Sequence, residues 1–260
     1  MEKKYFDSFL ISSANLMAEF GFKLKKKDQY FYQYSDKYLL KVSFATFKKE
    51  EVNYRYYIYN DDFDSVYEKI IGFTPSYGLI NLLTSMAFLD WPDKGYANII
   101  YFKDSAPWQK NAMTLLQAEK EFERLVTGHM LPWFDCYMKP VNIRNIYRNT
   151  PKKYDTKYNI NFSPSFRSIT GGFFEMFYED AVLSRLLGDD MRPIQEIYDT
   201  HYKEIYTTYW SQNDSSGICQ MEKESVKVQF AALPSIIGKI EAVTEKKWAE
   251  YRELTGIGII

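Results

Sequence analysis

The stretch Tyr30-Phe31-Tyr32-Gln33-Tyr34, followed closely by Tyr38-Leu39-Leu40-Lys41-Val42-Ser43-Phe44-Ala45-Thr46-Phe47, decides how the chain reads. Leu40, Val42 and Phe44 alternate with Lys41 and Ser43, the period of two expected of a strand with one packed and one wetter face. Residues 22–25 and 53–59 have the same aromatic and β-branched texture and are set off by polar turns, so the four segments together predict an antiparallel meander. Upstream, Phe6, Phe9, Leu10, Leu16, Met17 and Phe20 recur mostly at three- and four-residue steps and Gly21 follows as a stop signal. That pattern predicts an amphipathic helix over residues 5–20 lying on the apolar face of the meander.

Downstream of the meander, Ser65-Val66-Tyr67-Glu68 matches a capping box and predicts a short helix through Ile71. A helix over residues 77–89 and a strand over residues 96–102 follow. From Gln109 a long helical stripe carries Leu115, Ala118, Phe122, Leu125, His129, Trp133 and Cys136, interrupted by Pro132, whose ring would clash with the carbonyl of Gly128. A kink or two successive helices is expected there. Residues 149–172 are punctuated by Pro151, Pro164, Gly171 and Gly172 and by charged side chains, which predicts an exposed boundary between a domain over residues 1–150 and a mainly helical region over residues 151–260. The two are expected either as separate domains or packed as one unit. In the later half, helices are expected from Phe173 to Leu187 with Gly188 as stop, from about Met191 to Trp210, and from Ser235 along Ile237, Ile240, Thr244, Trp248 and Tyr251. Residues 225–231 read as a strand or a helix. The fold class is therefore α+β: a helix on an antiparallel meander, then a mostly helical half.

Composition narrows the function. Of 260 residues, 46% are hydrophobic and 26% charged, which excludes a disordered or low-complexity chain. The net charge of −1 disfavours whole-chain binding to a phosphate backbone. The two parts differ little, with 20 basic and 18 acidic residues up to residue 150 and 13 and 16 beyond it. Two cysteines give no disulfide framework, the first residues do not read as a signal peptide, and no stretch approaches the roughly 18 apolar residues of a membrane span, so a cytoplasmic location is expected.

No Walker loop, zincin helix, EF-hand loop, nucleophile elbow or kinase signature occurs, and no metal or other cofactor is implied. Asp61, Asp62 and Asp64 are carboxylates of the kind a hard cation requires, but beside a capping box they read first as acids complementing a helix dipole. His129 and His201 fall on apolar helical stripes and read as structural. His129 and Cys136, two turns apart, suit a catalytic pair only loosely. The unusual feature is 23 tyrosines, with Tyr30, Tyr32, Tyr34, Tyr54, Tyr56, Tyr57 and Tyr59 concentrated in the meander. Ordinary sheet packing accounts for part of that number, and a partly wet tyrosine face makes a large, rigid protein-binding surface with polar tips. Lys23, Lys25, Lys26 and Lys27 beside it also permit single-stranded nucleic acid, a weaker reading because no recognition-motif signature is present.

The run Glu19-Phe20-Gly21-Phe22-Lys23-Leu24-Lys25-Lys26-Lys27, then Tyr30-Phe31-Tyr32, the strand from Leu39 to Phe47 and the later Leu131-Pro132-Trp133-Phe134, resembles an uncharacterised family of bacterial domains of unknown function, numbered four-three-zero-four, over residues 5–138. The resemblance implies a small cytosolic α+β domain and assigns no functional residue. The leading expectation is a non-enzymatic protein-binding module, such as a bacterial immunity or defence-associated protein, acting through a tyrosine-rich and acidic surface with Tyr30, Tyr32, Tyr34, Tyr54, Tyr56 and Tyr59 as its binding residues. No catalytic residue is assigned. The competing expectation is an enzyme or small-ligand-binding protein with a polar site between the two halves, built from Asp61, Asp62, Asp64, His129 or His201.

Overall fold

The computed structural model describes residues 3–47, 51–72, 99–104, 106–145, 173–192 and 234–258, with residues 196 and 232. The chain divides into two compact units: residues 1–60 with 83–138, and residues 61–82 with 139–260. The boundary expected near residue 150 lies outside the described residues, as do the elements expected at 77–89 and 225–231 and most of that at 191–210.

In the first unit, α1 (Lys3–Glu19) buries Phe6, Phe9, Leu10 and Met17. It ends as the sequence predicts: Gly21 takes φ +82° and the amide of Phe22 donates to the carbonyl of Met17 at 3.0 Å, closing the last turn in a left-handed cap that glycine adopts without steric cost. The strands β1 (Lys23–Lys25), β2 (Tyr30–Ser35), β3 (Tyr38–Phe47), β4 (Glu51–Tyr59) and β5 (Ile99–Tyr101) pair antiparallel in simple sequence order. The register opposes Tyr32 to Lys41, Lys41 to Tyr57 and Leu39 to Tyr59 across β2, β3 and β4. Residues between these positions form the other face, where Phe31, Leu40, Val42, Phe44, Val52, Tyr56 and Ile58 are all buried. Against that inner face Phe9 of α1 meets Phe44, Phe102 and Phe122 with ring centroids 6.1, 5.7 and 5.6 Å away, near-perpendicular edge-to-face contacts that add to the area each ring removes from water.

The long helical pattern after β5 begins later than expected. Gln109 lies in a turn, and α3 (Leu115–Leu125) is opened by Thr114, whose hydroxyl accepts from the amide of Gln117 at 3.3 Å while the Gln117 carbonyl oxygen accepts from the Thr114 amide at 2.9 Å. A π-helical turn, Val126–Met130, then joins α3 to α4 (Leu131–Tyr137). Its wide ring, closed by the amide of Leu131 on the carbonyl of Val126, is how the helix passes Pro132 without a break. The inserted residue also shifts the helical phase: Trp133 and Phe134 turn to the core, and Cys136, expected on the apolar stripe, is exposed.

In the second unit α2 (Asp61–Ile71), α5 (Phe173–Leu186) and α6 (Glu245–Thr255) pack on one another. α2 starts four residues before the expected capping box, so Ser65 lies inside the helix and Asp61, Asp62 and Asp64 form its acidic first turn. The single helix expected after Ser235 is two: residues 234–241 are helical, and Thr244 opens α6 by accepting from the amide of Lys247 at 3.3 Å. Side chains cover the helix ends. Arg252 donates from Nε to the carbonyl of Leu186 at 2.9 Å and from Nη2 to that of Arg185 at 3.2 Å, and Lys239 Nζ donates to the carbonyl of Ile71 at 3.0 Å. Cations at C-termini supply donors to carbonyls that no helical amide reaches.

Candidate functional site

The outer face of the sheet is fixed by the same alternation that builds the core. Its central row holds Tyr30, Tyr32 and Tyr34 on β2, Leu39, Lys41 and Ser43 on β3, and Tyr57 and Tyr59 on β4, with Lys23 and Lys25 on β1 at one side. Tyr34 is 73% exposed, and the other tyrosines of the row are half-buried among their neighbours. Tyr30 and Tyr32 meet at 6.0 Å, Tyr32 and Tyr34 at 6.0 Å, both edge to face, and Tyr57 stacks on Tyr59 at 5.9 Å. Lys41 Nζ stands 4.5 Å from the ring centre of Tyr30 and 5.8 and 5.9 Å from those of Tyr57 and Tyr59. A single ammonium thus ties the tyrosines of two strands together through the negative faces of their rings. Lys25 lies 5.4 Å from the Tyr30 centre and pairs with Asp28 at 2.9 Å; the hydrogen bond its ammonium donates to Asp28, helped by one to Tyr30, holds it above the ordinary lysine range, so it stays charged.

Tyr30, Tyr32, Tyr34 and Tyr59 therefore share one face, as the sequence suggests. Tyr56 does not. It is wholly buried on the opposite face, and Tyr54 opposes Phe44 in the row of Tyr56. Tyr57, absent from the expected set, belongs to the outer row. The described charged residues beside these tyrosines are Lys23, Lys25 and Lys41, with Asp28 paired to Lys25, while the register sets position 55 opposite Ser43 and position 51 at the far end of β4. Asp61, Asp62 and Asp64 belong to the other unit.

Tyr56 instead makes a buried polar contact inside the first unit. Its hydroxyl lies 2.5 Å from Nδ1 of His129, which is 2% exposed, and its ring meets Trp133 at 5.0 Å. The π turn presents His129 at this depth, and the phenol explains how an imidazole is held there. Cys136 lies on the outside of α4, so His129 and Cys136 do not share a face. His201 lies outside the described residues.

Among the described residues no group of three or more His, Cys, Asp or Glu side chains is arranged to hold a metal ion, and no helix is long and apolar enough to cross a membrane. Comparison with protein-family models, curated proteins and solved structures returns no match.

Proposed function

We propose that the chain is a non-enzymatic protein-binding module and that the outer face of the sheet, centred on Tyr32, Tyr34, Lys41 and Tyr57, is its binding surface. One observation carries the reading: five tyrosines of two strands are held in a single array around Lys41, with Tyr34 largely exposed to solvent. Rings braced by one another have little rotamer freedom to lose on binding, and each offers a large contact area ending in a hydroxyl. His129 and the acids of α2 have structural tasks in this reading, one holding Tyr56 and the others facing the positive end of a helix.

The test is affinity capture from the native host with the full chain and with a variant carrying Tyr32→Ala, Tyr34→Ala and Tyr57→Ala. A protein retained in stoichiometric amount by the parent and lost by the variant supports the interface. Equal retention by both, with both folded by circular dichroism, contradicts it.

A further inference from the structure

We infer that the partner presents an acidic, carboxylate-rich protein segment to this face; the inference rests on the binding-surface reading above and specifies its chemistry. The charged groups that the described row offers are lysines, the nearby carboxylate of Asp28 being paired with Lys25, and the hydroxyl of Ser43 can donate or accept. Lys23 and Lys25 are exposed on β1, Lys26 and Lys27 are exposed in the turn that follows, and Lys41 lies at the centre of the row. The tyrosines add phenolic O–H groups. Ring geometry restricts the partner further. Tyr30, Tyr32 and Tyr34 meet at interplanar angles of 66° and 80°, Tyr57 and Tyr59 lie 23° from parallel, and Lys41 stands over Tyr30. Lys41 over Tyr30 and the stack of Tyr57 on Tyr59 thus engage part of the negative ring-face area inside the array. The row also offers a partner ring edges, which carry positive charge, together with hydroxyls and lysines. Carboxylates complement all three.

Single-stranded nucleic acid is also anionic, but it binds such sheets by stacking bases on open aromatic faces, and Lys41 over Tyr30 and the stack of Tyr57 on Tyr59 already engage part of those faces. The whole chain, at net −1, also lacks the surplus of cations that drives binding through counterion release. An acidic protein segment fits the same donors with no need for stacking.

The probe is fluorescein-labelled poly-L-glutamate of about 20 residues, titrated with the full-length chain at low and moderate salt, where screening separates the ionic part of the affinity. Binding is expected to weaken at least tenfold in a variant carrying Lys25→Gln and Lys41→Gln, and to be unchanged by Lys246→Gln on α6. Tyr34→Ala, at an exposed position, serves as a second face variant should the double variant not fold, and it too is expected to weaken binding. Absence of poly-L-glutamate binding overturns the inference, as does equal loss in the Lys246→Gln control. Tighter binding of labelled oligothymidylate of equal length overturns it in favour of nucleic acid. If a host protein is captured through Tyr32, Tyr34 and Tyr57 while poly-L-glutamate is not bound, the acidic chemistry fails and the interface reading stands.

Discussion

Replacing Tyr56 by phenylalanine keeps the ring against Trp133 and withdraws only the hydroxyl from Nδ1 of His129, so it isolates one buried polar contact from the packing around it. Because both residues are buried, water does not replace the lost partner, and the cost is that of impairing a desolvated group, about 1–3 kcal/mol. Tyr56→Ala removes the ring as well and is expected to cost about 3–5 kcal/mol, in the range of other large aromatic truncations. Urea unfolding of the parent, Tyr56→Phe, His129→Gln and the double variant closes a double-mutant cycle. A coupling of at least about 0.5 kcal/mol between the two positions is expected, since each single change already breaks the same bond. A Tyr56→Phe variant within about 0.3 kcal/mol of the parent, or two effects that simply add, would refute the claim that the phenol is what holds the buried imidazole of His129.

Three further outcomes follow from the geometry. Gly21→Ala places a Cβ at φ +82°, 3.1 Å from the flexible amide end of Gln33, and should cost about 1–2 kcal/mol in thermal or urea unfolding, nearly all of it backbone strain. Arg252→Gln removes charged donors from the carbonyls of Arg185 and Leu186 and should destabilise the second unit by about 1–3 kcal/mol, with little effect on unfolding of the first if the two are followed separately by hydrogen exchange. Burial pushes the phenols of Tyr38 and Tyr178 up to about 12, a hydrogen bond from Asn60 opposing the shift at Tyr38. The folded state then holds these protons after the unfolded chain has released them, so stability is intact below the ordinary tyrosine pKa of about 10 and falls as pH rises from there toward 12. Tyr178→Phe should flatten that decline in alkaline urea titrations, and an unchanged slope would contradict the assignment.

Strand positions were legible in the sequence because alternation of apolar and polar residues at Leu40 to Phe44 is a direct image of the two faces of a sheet. The end of α1 was legible for a similarly local reason, since Gly21 supplies a backbone conformation that few residues tolerate. The helices misled where short signals competed. Ser65 and Glu68 have the spacing of a capping box, yet the helix starts at Asp61, while Thr114 and Gln117 form a working box that apolar periodicity alone passes over. The π turn has no sequence signal beyond a proline in a helical stripe, and without it the phase of Cys136 comes out wrong. In the candidate site, counting tyrosines gathered both faces of β4 into one set. Parity relative to Lys41 separates Tyr57 and Tyr59 from Tyr56, but the charge of the outer face depends on strand order, which brings β1 with its lysines beside β2 and leaves the α2 acids in another unit.

The central claim is that a protein partner docks on the outer face of the sheet, and site-specific photocrosslinking in the native host tests it most directly. A benzophenone amino acid is introduced at position 34, on the exposed tyrosine of β2, and separately at position 246, on an exposed lysine of α6. The binding-face account predicts a discrete protein adduct from position 34 whose crosslinked segment is rich in aspartate and glutamate, with none from position 246. An adduct from position 246 and none from position 34 would contradict it.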